Sequence, residues 1–243
     1  MPIDEILLFS LLALVAEIAG TISGFGSSVF FVPVASLFFD FHSVLGITAL
    51  FHLFSNLSKI VLFRKGVNWK IVLYLGFPAV VFVSVGAVLS KYMKSDILES
   101  ALGFFLIIFS VVFLIARDLK IKPTNFNSIL GGTFSGFIAG LLGTGGAIRG
   151  MTLAAFNLQK DIFIATSAII DFGVDLSRGV VYFSNGFMHW HDLKYVGILI
   201  VVSFVGTYLG KKVLERLSEE DFKRIVLFVI LAIGVGSVVQ QLL

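Results

Sequence analysis

"GLLGTGGAIRG", residues 140–150, places five glycines, a threonine and an arginine between two apolar runs. Glycine lets a backbone turn where other residues clash. Backbone without helical partners is tolerated at membrane depth only when buried in protein or facing a water-filled cavity. The stretch therefore marks a break that lines something. A second stretch, "GFGSSVFFVP" (24–33), repeats the pattern in weaker form.

The surrounding chain is 243 residues long, 58% hydrophobic and only 14% charged. A soluble domain is near half apolar and a quarter charged. Apolar runs recur along the whole length, so the expected class is an all-α polytopic membrane protein. The polar connections at 117–126 and 211–224 are too short to fold alone. Absence of cysteine excludes disulfides and thiolate metal sites. The net charge of +3 reflects loop charges rather than a nucleic-acid partner. The N-terminal "MPIDEILLFSLLALVAEIAG" carries Asp4 and Glu5 in place of a basic signal region, and is read as a retained membrane segment.

Spans are expected at 43–63, 69–90, 96–116, 162–183, 193–210 and 222–241. Segments 5–39 and 127–157 are too long for one span and short for two. Each is either one bent crossing or a hairpin that returns to its starting side. If both return, one side of the membrane collects 12 lysines and arginines and the other 3; if each crosses once, the split is 7 against 8. Basic residues concentrate in cytoplasmic loops. Two hairpins plus six spans are therefore expected, in an inner membrane, with both termini on the non-cytoplasmic side.

Shifted by 119, the chain aligns with itself. "GFGSS" (24–28) falls on "GTGGA" (143–147), and "FSNLSKIVLF" (54–63) on "GVDLSRGVVY" (173–182). Lys59 then matches Arg178, Asn56 matches Asp175 and His52 matches Asp171. With one or two inserted residues Trp69 matches Trp190, Tyr74 matches Tyr195 and Gly86 matches Gly206. The expected units are residues 1–122 and 123–243 of one membrane domain, each a glycine-broken hairpin plus three crossings. Three is odd, so the second unit lies inverted relative to the first. Inverted repeats with broken helices recur in secondary transporters, whose substrate binds near the midplane where the repeats meet.

The polar residues support such a site. A helix restarting near Ala147 presents free N–H groups and a positive dipole end to the break, an anion site in outline. Arg149 falls in its first turn and can grip an oxyanion through two parallel hydrogen bonds. Thr144, Gly145, Gly146, Ser27 and Ser28 supply hydroxyls and backbone. His52, Asn56 and Lys59 share one helical face; Asp171, Asp175 and Arg178 repeat the spacing. Unpaired charge in hydrocarbon is costly, so both stripes face inward and pair. Arg178 is the expected partner of Asp175, and Lys59 or Arg149 that of Asp171. Asp171 and Asp175 are also candidates to carry a coupling proton, because desolvation favours their neutral form. Glu17 admits the same two readings. His189 and His191 beside Trp190 have no carboxylate cluster with them, so no metal site and no cofactor are expected.

At "GFGSSVFFVP" and "GLLGTGGAIRG", each followed by a small-residue string ("GITAL", 46–50; "IATSA", 164–168), the chain resembles the sulfite exporter TauE/SafE family. The resemblance covers essentially the whole chain. Ser27 and Ser28 replace two family glycines, Thr152 replaces the second family proline, and Arg149 is inserted. What it implies is an exporter of a small sulfur-containing anion: sulfite, sulfoacetate or another organosulfonate. The partners expected are that anion, the lipid bilayer and a second copy in a homodimer. The closest alternative is a cation or proton transporter using Asp171 and Asp175. A membrane-embedded enzyme would need an oriented nucleophile and base, which the sequence does not display. A non-transporting scaffold would tolerate loss of the charged stripes.

Overall fold

A computed structural model describes residues 2–23, 26–63, 66–115, 121–189 and 193–214, with Leu231 and Val235. The span expected at 222–241 therefore lies outside the described residues, as do Trp190 and His191. Among the described residues the regular elements are helices, and no strand occurs. They are α1 (Ile3–Ser23), α2 (Ser28–Ala35), α3 (Phe41–Leu62), α4 (Trp69–Ile71), a π-helical segment (Val72–Gly76), α5 (Phe77–Ser90), α6 (Ser95–Ile115), α7 (Asn125–Leu142), α8 (Gly146–Ala154), α9 (Lys160–Ser184) and α10 (Leu193–Leu214).

Among the described residues, five helices are long and apolar enough to cross a membrane: α1, α3, the continuous run Trp69–Ser90, α6 and α10. α9 has the length, 25 residues, but carries Asp171, Asp175 and Arg178. The π segment precedes Pro78. Proline has no N–H to donate, and the turn before it widens instead of breaking. The outside of the bundle is apolar, with Leu11, Phe77, Ile108, Phe134, Val180 and Phe183 exposed, while Glu17, Lys59, Arg149, Asp175 and Arg178 are buried. That inversion of the soluble pattern is what hydrocarbon as solvent requires. The protein is a multi-pass membrane protein.

Both glycine-broken segments are hairpins. After α1 ends, Ser27 lies back beside Glu17 and Gly20. Phe31, Phe38 and Phe39 then pack on Phe9, nearer the start of α1. After α7 ends, Gly145 lies beside Ser135 and Ala139, and Thr152 beside Gly131. The returning helices have 8 and 9 residues, about 12–14 Å at 1.5 Å per residue, less than half a bilayer core. The turn of the first hairpin meets His52, mid-way along α3, and the second meets Asp171 and Arg178, in the centre of α9. The hairpins thus dip to mid-depth.

The main packing pairs are α5 on α7, α1 on α10 and α3 on α9. The alignment of the two halves matches α1 with α7, α3 with α9 and α5 with α10, so the first two pairs exchange and the third maps on itself. Close approach at α5–α7 comes from Gly132, Gly136 and Gly140, where an added methyl would overlap the carbonyl oxygens of Leu75, Ala79 and Val83. Small residues at such spacing let helix backbones touch in a membrane. Gly136→Ala is expected to cost about 1–3 kcal/mol through forced separation, read as a lowered thermal-unfolding midpoint in detergent. An unchanged midpoint would mean that the backbones are not in contact.

Candidate functional site

The two breaks converge. Gly26 and Gly143 adopt left-handed conformations, φ 80° and 76°, which glycine reaches without the Cβ clash other residues suffer. Their reversals bring Thr144 Oγ1 to donate to Ser28 Oγ at 3.3 Å. Between the breaks lies a cavity lined by Gly26, Ser27, Ser28, Gly145, Gly146 and Arg149 of the hairpins, by His52, Ser55, Asn56 and Lys59 of α3, and by Asp171, Asp175 and Arg178 of α9. Its void is about 10 Å³, room for one water molecule.

Each helix end at the cavity carries unbonded N–H groups. α3, α4 and α7 open on side-chain caps, from Asp40, Asn68 and Thr124. α2, α8 and α9 have none, and of these α2 and α8 open onto the cavity. Two positive dipole ends therefore face the same small space.

The charged side chains are sorted into three groups. Glu17 is fully buried. Its Oε1 accepts from Ser55 Oγ at 2.6 Å, Thr207 Oγ1 at 2.9 Å and Thr21 Oγ1 at 3.2 Å, and lies 3.1 Å from Lys59 Nζ. Oε2 accepts from Ser27 Oγ at 2.5 Å. Lys59 Nζ also donates to Ser55 Oγ at 2.8 Å. Lys59 thus lines the cavity with its charge neutralised from behind.

Arg178 is engaged at every nitrogen. Nε and Nη2 reach Asp175 Oδ1 at 2.8 and 2.6 Å. Nη1 donates to the carbonyls of Gly143 at 2.7 Å and Ala139 at 3.2 Å. Tyr182 Oη donates to the Gly140 carbonyl at 2.6 Å. Together they cap the C-terminal carbonyls of α7, which an arginine at the negative dipole end stabilises. Asp175 Oδ2 accepts from Asn56 Nδ2 at 2.7 Å, joining two positions that the shift of 119 aligns. Tyr182→Phe removes one such cap and is expected to cost about 1 kcal/mol, seen as a small fall in unfolding midpoint. A fall as large as that of a core cavity would contradict a capping role.

Arg149 is the exception. Its Nε pairs with Asp171 Oδ1, and Asp171 Oδ2 accepts from Ser167 Oγ at 3.1 Å. Nη1 is buried with no hydrogen-bond partner. A buried unsatisfied donor is rare and calls for an explanation. Here it sits in the first turn of α8, on the wall of the cavity.

All the residues expected from sequence therefore meet in one place. Of the two partners open to Asp171, the structure selects Arg149. Ser55, Thr21, Thr207 and Tyr182 escaped notice as members of the network. Ser55 had a signal, since it precedes Lys59 by one turn on the polar face of α3. Thr207 had none, being 190 residues from its partner.

The profile of the family described as sulfite exporter TauE/SafE matches residues 9–237. The chain belongs to the TauE/SafE family. A probable membrane transporter protein of Methanocaldococcus jannaschii is 26% identical over 257 residues, with 92% of each chain covered. Another, of Bacillus subtilis, is 25% identical over 220 residues, covering 83% of this chain and 89% of its own. This TauE/SafE member is a membrane transporter by family, and its two hairpins share the candidate site with α3 and α9.

Proposed function

We propose that the protein is an inner-membrane secondary exporter of a small sulfur-containing anion such as sulfite, sulfoacetate or another organosulfonate. The observation that carries this reading is the unpartnered guanidinium nitrogen of Arg149, buried at a cavity onto which two uncapped helix N-termini open. Side-chain charges in and behind the cavity balance: Lys59, Arg149 and Arg178 against Glu17, Asp171 and Asp175. Each helix N-terminus then adds roughly half a positive charge, which tips the balance towards an anion. The carboxylate oxygens are already occupied by arginine, lysine, amide or hydroxyl donors, which weighs against a cation site. Sulfur oxyanions are the family's contribution to the reading.

The exchanging packing pairs and the Asn56–Asp175 bond between aligned positions support an inverted repeat with its pseudo-two-fold axis at the cavity. Access alternates as α1–α10 and α5–α7, with their attached hairpins, rock about the α3–α9 contact. A cavity of about 10 Å³ does not admit a sulfonate, so loading requires the breaks to separate. The bias of basic loops puts both termini on the non-cytoplasmic side.

The test is a thermal-shift panel on detergent-purified protein at constant ionic strength: sulfite, sulfoacetate, isethionate, taurine, sulfate, phosphate and acetate. A ligand at a hundred times its Kd adds about 2.7 kcal/mol to the folded state. A response confined to sulfur oxyanions is expected. A flat panel, with stabilisation by sodium only, would replace the anion with a cation.

A further inference from the structure

We infer that Asp171 is the proton partner of the transported anion: when substrate takes the Arg149 guanidinium, the carboxylate left behind binds one proton. The inference rests on the anion reading above and assigns its coupling.

The two carboxylates on α9 differ in whether they can lose their cation. Asp175 holds Arg178 through two nitrogens, and Arg178 holds the end of α7 through its third. Releasing that pair would uncap α7. Asp175 also keeps Asn56. Asp171 has one cation, Arg149, met at Nε, and one hydroxyl, Ser167. No carbonyl anchors Arg149, and its Nη1 has no partner to leave. A planar guanidinium binds an oxyanion best through two parallel N–H bonds. Asp171 occupies Nε, so an oxyanion that enters as the breaks separate and takes the Nε edge of the guanidinium displaces the Asp171 carboxylate.

A displaced Asp171 finds no other cation free. Lys59 is held by Glu17 and Ser55 on α3's side of the cavity. Arg178 is held by Asp175, a second negative charge one turn away. His52, on α3, is bonded to Ser27 and shares the cavity with all three cations. α5 and α7 carry no titratable side chain, and the π segment carries only Tyr74. A buried carboxylate without a partner takes up a proton rather than remain charged. The O–H bond forms at Asp171, the ion pair passes from Asp171 to the anion, and a monoanion and a proton leave the net charge of the site unchanged. Loading is then electroneutral, which spares the site a net charge at membrane depth.

The experiment is calorimetric titration of the wild-type protein with isethionate, which carries no titrating proton, in buffers of different ionisation enthalpy. Sulfite is titrated likewise, with its own ionisation subtracted. Uptake of about one proton per anion is expected, with affinity tightening by up to about tenfold for each unit fall in pH. Asp171→Asn should bind anion without proton uptake and without pH dependence. Binding with no proton uptake by wild type overturns the inference and leaves the transporter reading standing. Failure of either anion to bind overturns both. Because the proton count is made on wild type, absence of uptake overturns the inference even if the variant does not fold.

Discussion

Arg149→Ala abolishes the response to every anion in the panel and also lowers stability. The two losses have different causes. Among the described residues, Arg149 is the cation at the cavity with a buried nitrogen that has no hydrogen-bond partner, so its contact is the one lost. Its removal also leaves Asp171 buried opposite nothing but Ser167. Breaking a buried pair by deleting one partner costs about 3–5 kcal/mol, because the other charge stays behind. Arg149→Ala/Asp171→Asn separates the effects. The neutral amide no longer needs a cation, so most of the stability returns, measured as the unfolding midpoint in detergent. The anion response does not. A double variant that again responds to sulfonates would remove Arg149 from the site.

Glu17→Ala is the second large effect, and it concerns stability. One carboxylate ties α1 to the first break, to α3 and to α10 through Ser27, Ser55, Lys59 and Thr207. Deleting it strands a buried ammonium and several buried hydroxyls. The expected loss is again about 3–5 kcal/mol. Glu17→Gln should cost less, on the order of 1–3 kcal/mol. Its amide oxygen can keep the donors now on Oε1, while its NH₂ meets Ser27 Oγ, which can accept. Pairing Glu17→Ala with Lys59→Met removes the stranded charge and should recover part of the loss. Thermal unfolding of the set checks the order. A Glu17→Ala protein as stable as its parent would show that the network contributes only geometry.

The asymmetry between the halves follows from the same residues. Where Lys59 meets the carboxylate of Glu17, the aligned Arg178 meets the backbone carbonyls of Ala139 and Gly143. The position aligned with Glu17 is Gly136, which packs on Ala79. Lys59 is thus held by side chains alone, and Arg178 by the Asp175 carboxylate together with a helix end. Arg149 aligns with Phe30, so a cation in the returning helix exists on one side only.

Local information determined the class, the helical segments up to residue 214 and the residues that line the candidate site. Composition and run length identify membrane helices because hydrocarbon admits no unsatisfied backbone. Five glycines within eleven residues mark the second break, and periodicity puts His52, Asn56 and Lys59 on one face. The Asp175–Arg178 pair was legible because it spans one helical turn. Choice of partner across the bundle was not legible. Glu17 with Lys59, Arg149 with Asp171 and Thr207 with Glu17 join segments far apart in the chain, and each charge had more than one candidate within its sequence pattern. Helix crossing and hairpin depth decide which of them touch. The sequence by itself determined that three cations and three carboxylates are buried near two helix breaks. Only the tertiary structure decided that two of the cations are fully neutralised and that Arg149 keeps a donor free. Pairing in a low-dielectric interior depends on ångström distances, and those are set by packing between helices rather than by order along the chain.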